Sequence, residues 1–309
     1  MKNIFFKYGK ILFTFLVLSY VLRNADLQSL LRTIRNSDYI LILLALLTFS
    51  FYQVLYSYNW KKVLTAFSGG IGYLEVFRIH MIGLFYNLFL PTSMGGDVAK
   101  IYYLSKKVND RMVAIKSIVL LRGTGLLTNL LLLAAVLVYN REILVLVGFE
   151  DKIAHGLYLL AGVIAVVSII RWTPVRNNET VQFLTGKVNE YISSFKSFLC
   201  DFRREMLGVF LLSLVNQLII IFENYLILRA LDIDIAFVHV MYIIPLTFFA
   251  TMLPITIAGI GIREGAFVYF LTRYGYSVED AIAFSLIGYV LILFIGFAGG
   301  VVSATSSNK

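Results

Sequence analysis

The chain has 309 residues, 59% of them hydrophobic and 15% charged, with a formal net charge of +9. A soluble domain would carry about a quarter charged residues; a mean hydropathy of +0.83 and long apolar blocks instead give a polytopic α-helical membrane protein, and exclude a barrel of short alternating strands. The positive charge suits loops beside anionic lipid heads and needs no nucleic acid, and one cysteine, Cys200, excludes an internal disulfide or a cysteine-based zinc site.

The N-terminus, MKNIFFKYGKILFTFLVLSYVL, has the basic start and apolar core of a signal peptide. No small-x-small cleavage site follows, so it reads as an uncleaved first span over about 4–22. A second span is expected over about 39–58, then a polar joint, NWKKVLTAFSGG. The next apolar segment is shortish and interrupted by Pro91 and by Gly95-Gly96. Further spans are expected over about 115–139, 154–171, 206–229 and 281–304. Between the last two lies a second interrupted segment, LPITIAGIGIREG, with Pro254, Gly259 and Gly261 ahead of Arg263-Glu264. Residues 181–199 have one apolar face at helical spacing, as in a helix lying in the cytoplasmic interface or packed on the protein.

Positive-inside counting places the N-terminus in the cytoplasm. If each interrupted segment enters and leaves on one side, most of the 27 Lys and Arg fall inside. The expected fold is therefore all-α: about six full spans plus two Pro/Gly-broken re-entrant hairpins, over about 74–105 and 240–275, with both termini cytoplasmic. The hairpins enter from opposite faces, as the halves of an inverted repeat would, and such paired breaks point to a midplane ligand site.

Charge at these breaks defines the candidate residues. Ionisable groups at membrane depth are paired or face a cavity, and irregular backbone there is buried in protein or lines water. Glycines expose N–H groups, and a helix starting near Arg263 would aim its positive end at an anion. Gly259, Gly261, Arg263 and Glu264 thus suit a phosphate-bearing lipid head, against the alternative of a purely structural Arg–Glu pair. Gly95, Gly96, Asp97 and Lys100 form the second group, with Asp97 either capping a helix or meeting Lys100 one turn on. Arg122 lies in a span and either snorkels or lines the cavity. Glu223 faces the bundle as a partner for Arg122 or Arg263, or as a proton acceptor. The Asp232-x-Asp234 pair has a metal-binding shape but sits on a short loop, and His80, His155 and His239 form no ligand pattern. GIGIREG has neither the spacing nor the βαβ setting of a dinucleotide fingerprint. No cofactor or metal is expected.

PLTFFATMLPITIAGIGIREGAFVYF resembles the C-terminal signature of the lysylphosphatidylglycerol synthase transmembrane-region family, and NLFLPTSMGGDVAKIYYL its N-terminal one. The resemblance extends through SIVLLRGTGLL and NQLIIIFENYLILRAL, so it covers nearly the whole chain. It implies a flippase-type domain that moves phospholipids, or polyprenyl- or sugar-linked lipids, between leaflets of the cytoplasmic membrane. It marks Pro91, Gly95, Gly96, Asp97, Lys100, Arg122, Pro254, Gly259, Gly261, Arg263, Glu264 and Gly265, the prolines and Gly265 as hinges. Family members often have Arg at the place of Lys100 and an acid at that of Leu121, so Arg122 lacks an acid beside it in sequence. Full-length synthases carry a soluble transferase domain, whereas this chain ends at Lys309; the expectation is a transporter and not an enzyme. The alternatives are a membrane transferase using Asp97, Glu264 or the Asp232/Asp234 pair, and a non-catalytic partner of a lipid or glycan enzyme.

Overall fold

A computed structural model describes residues 26–68, 70–89, 95–108, 110–139, 203–252, 256 and 259–306. The expected spans over 4–22 and 154–171, the helix over 181–199, and Pro91 and Pro254 lie outside the described residues. The chain divides into two units, Met1–Val136 with Gly208–Lys309, and Leu137–Leu207. Of the second, the described residues are the last turn of one helix and the first of another; the candidate site residues all belong to the first.

Among the described residues all regular structure is helical: α1 (Leu27–Arg35), α2 (Tyr39–Ser68), α3 (Tyr73–Phe89), α4 (Gly95–Val108), α5 (Arg111–Tyr139), α6 (Arg203–Ala230), α7 (Phe237–Met252), α8 (Ile262–Arg273) and α9 (Val278–Ser306). Four are long and apolar enough to cross a membrane, within Tyr39–Phe67, Arg111–Tyr139, Glu205–Ala230 and Val278–Thr305. They fall where four of the expected spans lie.

Two local expectations are corrected. The polar joint after residue 58 is not a break, because α2 continues to Ser68. Trp60, Val63 and Leu64 are buried there, and Asn59 donates from Nδ2 to the Val209 carbonyl at 3.2 Å and to Ser213 Oγ at 2.9 Å. Polar groups inside a bundle are tolerated when so paired. The stretch after Asp26, which the spans expected over about 4–22 and 39–58 leave as a connection, is the amphipathic helix α1. Asp26 caps it, accepting from the Gln28 and Ser29 amides, and this satisfies first-turn N–H groups that have no intrahelical partner.

The interrupted segments form helix pairs. α3 packs on α4, α7 packs on α8, and α9 packs on both α3 and α8. At 17, 14, 16 and 12 residues, all four helices are shorter than the roughly 20 residues that span a bilayer. The far ends of α3 and α4 meet: Lys107 Nζ lies 3.0 Å from Glu75 Oε1. So do those of α7 and α8, where the Tyr274 ring stacks on His239 with centroids 4.9 Å apart and its hydroxyl bonds that of Tyr242.

α9 sets the relative depth of the two pairs. Arg263 reaches Ser285 and Tyr289 in its first half. Leu88, Met81 and Phe85 crowd Gly296, Gly299 and Gly300 in its second half. A Cβ at Gly299 would fall on the Met81 carbonyl oxygen, and one at Gly296 would lie 2.6 Å from Leu88 Cδ1. Small residues of this kind let helices approach closely where no hydrophobic force drives them together. Tyr289 and Gly296 are about 10 Å apart along the axis at 1.5 Å per residue, so the inner ends of the pairs nearly meet midway along one helix.

Candidate functional site

The first charged group gathers at the start of α4. Gly96 packs so closely on α3 that a Cβ there would strike the Gly83 carbonyl oxygen, and its amide donates to Asn87 Oδ1 at 3.3 Å. This contact fixes the first turn of α4. Of the two roles expected of Asp97, helix cap or partner of Lys100, the first is not taken, because the helix already begins at Gly95. The carboxylate turns instead to two cations, pairing with Arg122 Nε from α5 and lying 3.5 Å from Lys100 Nζ. Arg122 thus obtains from α4 the acid that its own helix lacks.

Lys100 is 7% exposed. Its ammonium stands 5.4 Å from the Tyr56 ring centroid and 5.8 Å from that of Trp60, both on α2. Gly83 makes room for it, since a Cβ there would come within 2.6 Å of Lys100 Cγ and Cε. A charge-assisted N–H···O bond is about 2.7–2.9 Å long, so the 3.5 Å contact with Asp97 leaves the ammonium donors loosely used. Aromatic faces compensate in part. The anchors behind this wall are polar: Trp60 Nε1 donates to Ser117 Oγ at 3.2 Å. His80 Nε2 lies 2.9 Å from Gln53 Oε1, and the His80 ring sits 5.0 Å from that of Tyr56.

The second charged group is built differently. Gly259 and Gly261 adopt φ of 77° and 86°, a region that disfavours any side chain, and they turn the chain into α8. Glu264 is 5% exposed and every direction around it holds a donor. Its Oε2 accepts from the Gly261 amide at 2.6 Å. Its Oε1 accepts from Arg263 Nη2 at 2.7 Å and Nε at 3.2 Å, and from Ser285 Oγ at 2.8 Å. The positive end of α8, expected to face a ligand, is occupied by Glu264 itself. Arg263 Nε also donates to Ser285 Oγ at 3.0 Å, and its guanidinium lies over Tyr289. Gly265 lies in the first turn, its amide bonded to the Gly261 carbonyl at 2.8 Å.

The two groups therefore differ in charge balance. Among the described residues, Asp97 is shared by two cations, while Arg263 and Glu264 neutralise each other. Glu223 joins neither: it is buried and accepts from Asn224 Nδ2 at 2.7 Å, and Arg122 and Arg263 pair with Asp97 and Glu264 instead. Asp234 is bound to Arg229, and no three His, Cys, Asp or Glu side chains gather as a metal site among the described residues. Sequence reasoning missed Tyr56, Trp60, Gly83 and Ser285. They sit in apolar helical runs that carry no sign of their neighbours.

The family model described as lysylphosphatidylglycerol synthase TM region matches residues 8–300, nearly the whole chain. No curated protein matches it. The chain belongs to this family and, with four long apolar helices among the described residues, is a membrane protein of lipid-related processes.

Proposed function

We propose that this member of the lysylphosphatidylglycerol synthase transmembrane-region family is a flippase-type transporter that moves a phosphate-bearing lipid between the leaflets of the cytoplasmic membrane. The observation that carries the proposal is Lys100, a buried ammonium loosely held by Asp97 and walled by Tyr56 and Trp60. A charge at this depth is costly unless paired or turned to a cavity, and a lipid phosphate completes the shell that Asp97 leaves open. Arg122 stands on the other side of the same carboxylate and offers a second donor.

On this reading each interrupted segment is a re-entrant hairpin. Both ends of α3–α4 lie beside Lys61, Lys62, Arg78, Lys106, Lys107, Arg111 and Lys116, a basic end suited to the cytoplasm. Both ends of α7–α8 lie with Asp26, Asp38, Asp232, Asp234, Glu279 and Asp280 at the other end. The hairpin tips converge along α9, where acyl tails remain in the bilayer and the head crosses past Lys100. The locked Arg263–Glu264–Ser285 knot holds the second tip in shape and is not the main grip on phosphate. The chain then performs no covalent chemistry, and both termini lie in the cytoplasm.

The test is a vesicle assay with the full chain reconstituted and fluorescent phosphatidylglycerol read from each leaflet. Lys100→Ala is expected to slow movement at least about tenfold, the worth of about 1.4 kcal/mol. Unchanged movement in Lys100→Ala would overturn the assignment.

A further inference from the structure

The polar residues that neither charged group uses lie along α6. Ser213, Asn216 and Glu223 are buried and follow one seam of that helix. α2 runs antiparallel beside it. The Asp38 amide donates to the Ala230 carbonyl at 2.8 Å at one end of the two helices, and Asn59 Nδ2 donates to Ser213 Oγ at 2.9 Å toward the other. Glu223 stands between these anchors, seven residues before Ala230 and ten after Ser213.

Three observations single out this carboxyl. First, no cation pairs with it among the described residues; its hydrogen-bond partner is the Asn224 amide, which donates to Oε2 at 2.7 Å. Second, two aromatic rings on α2 lead from it to Lys100. The charge of Glu223 reaches the Tyr52 phenol, the Tyr52 and Tyr56 ring centroids lie 5.8 Å apart, and the Tyr56 centroid lies 5.4 Å from Lys100 Nζ. Third, both polar atoms of the Asn216 amide and the Oδ1 of Asn129 are buried with no partner among the described residues, although Asn129 Nδ2 donates to Gln217 Oε1 at 2.9 Å. Buried amides of this kind take ordered water, which gives a proton a path along the seam. The other titratable groups on the helices around it are Arg122 on α5, bound to Asp97, and Tyr289 on α9, which lies under Arg263.

We propose that Glu223 takes up a proton each time a phosphate binds at Lys100. Asp97 is already engaged by Arg122 and holds Lys100 loosely, so Lys100 is the cation that a further anion balances. An ionised Glu223 is one such anion and a phosphate is another. Both together would leave a negative charge uncompensated in a water-poor interior. Unit charges about 10 Å apart at an effective dielectric of about 20 change each other's binding constants by roughly tenfold or more. The arriving phosphate therefore draws a proton from water onto a Glu223 oxygen, forming an O–H bond, and that proton leaves when the phosphate leaves. A proton needs one oxygen, whereas a hard metal cation needs several turned to one point, and the neighbour bound to Glu223 is a donor. The link to phosphate rests on the transport reading; the proton site itself does not.

Two measurements on the purified full chain in detergent test this. Infrared difference spectra between acid and alkaline buffer, without lipid, are expected to show a protonated-carboxyl band that is missing in Glu223→Gln and displaced in Glu223→Asp. Calorimetric titration with short-chain phosphatidylglycerol, in two buffers of different ionisation heat, counts protons. About one proton is expected per lipid bound in mildly alkaline buffer, and none in Glu223→Gln. Binding to the parent should weaken about tenfold as the buffer is made more alkaline, because Glu223 is then ionised before the phosphate arrives. If Glu223→Gln does not fold, the displaced band of Glu223→Asp makes the assignment and proton uptake by the parent decides the link. The absence of any band that depends on Glu223, lipid binding without proton uptake, uptake unchanged in Glu223→Gln, or binding that follows sodium instead of pH overturns the proposal. The band without any lipid binding leaves the proton site standing and removes the transport reading.

Discussion

Asp97 on α4 holds Arg122 on α5. The contact ties the α3–α4 pair to a long helix through one carboxylate, and Lys100 draws on that same carboxylate from one turn away. Removing one partner of such a pair leaves the other charge poorly compensated, and both removals together cost less than their sum. Asp97→Leu is expected to lower stability by about 3 kcal/mol and Arg122→Leu by somewhat less. The double variant should recover at least about 1 kcal/mol of the sum. Thermal unfolding of the purified variants in one detergent measures the cycle, and strict additivity would show that the pair is not coupled.

Gly83 acts on Lys100 through space. A methyl group at this position meets Lys100 Cγ and Cε at 2.6 Å, so Gly83→Ala must displace the lysine stem from its seat beside Tyr56 and Trp60. Overpacking of this size costs about 1–3 kcal/mol. Lipid movement is expected to fall with it, since a displacement of about 1 Å at a positioned group is worth up to about a hundredfold in rate. Shortening the lysine relieves its part of the clash and leaves a 3.0 Å approach to the Gly96 carbonyl oxygen, so Gly83→Ala with Lys100→Ala should be more stable than Gly83→Ala alone while remaining inactive. If Gly83→Ala moves lipid at the parent rate in the vesicle assay, Lys100 does not need its aromatic seat.

The sequence made the helical class and the four long spans legible, because continuous apolar runs of span length have few other readings. It also located both interrupted segments, through Pro and Gly at positions where a span should continue. The partnerships were not legible. Nothing beside Arg122 in the chain predicts Asp97, since the pair depends on how closely Gly96 lets α4 approach α3. The hidden continuation of α2 has a similar cause: Lys61 and Lys62 look like a loop, but Trp60, Val63 and Leu64 are buried on the opposite side of the same helix. Arg263 and Glu264 were visible as misplaced charge, and only Ser285, some distance along the chain, reveals how fully they satisfy each other.

That satisfaction sets a different expectation for the second tip. Glu264→Gln keeps the shape but weakens the bonds to Arg263, while Glu264→Ala also strips the cap from the Gly261 amide. We expect Glu264→Ala to lower stability by about 3–5 kcal/mol, as for a broken buried pair, and Glu264→Gln by about half as much. If the knot is a clasp, Ser285→Ala should be mildly destabilising with lipid movement retained in proportion to the folded fraction. Folded, full-length Arg263→Ala protein that has lost movement would instead assign phosphate binding to this tip.

The hairpin reading makes a prediction about sidedness that does not depend on any ligand. Both ends of α3–α4 share the basic face, and both ends of α7–α8 share the acidic one. Single cysteines are placed in a Cys200→Ser background at Leu74 and Asp110, which flank the first pair, and at Ala236 and Ser277, which flank the second; all four positions are exposed. A membrane-impermeant maleimide applied to intact cells should label Ala236→Cys and Ser277→Cys. It should reach Leu74→Cys and Asp110→Cys only after permeabilisation, because the Lys-rich end belongs to the cytoplasm. A pair whose two members label from opposite sides is a segment that crosses the membrane fully, and the convergence of two tips on α9 would then not be the path of a head group.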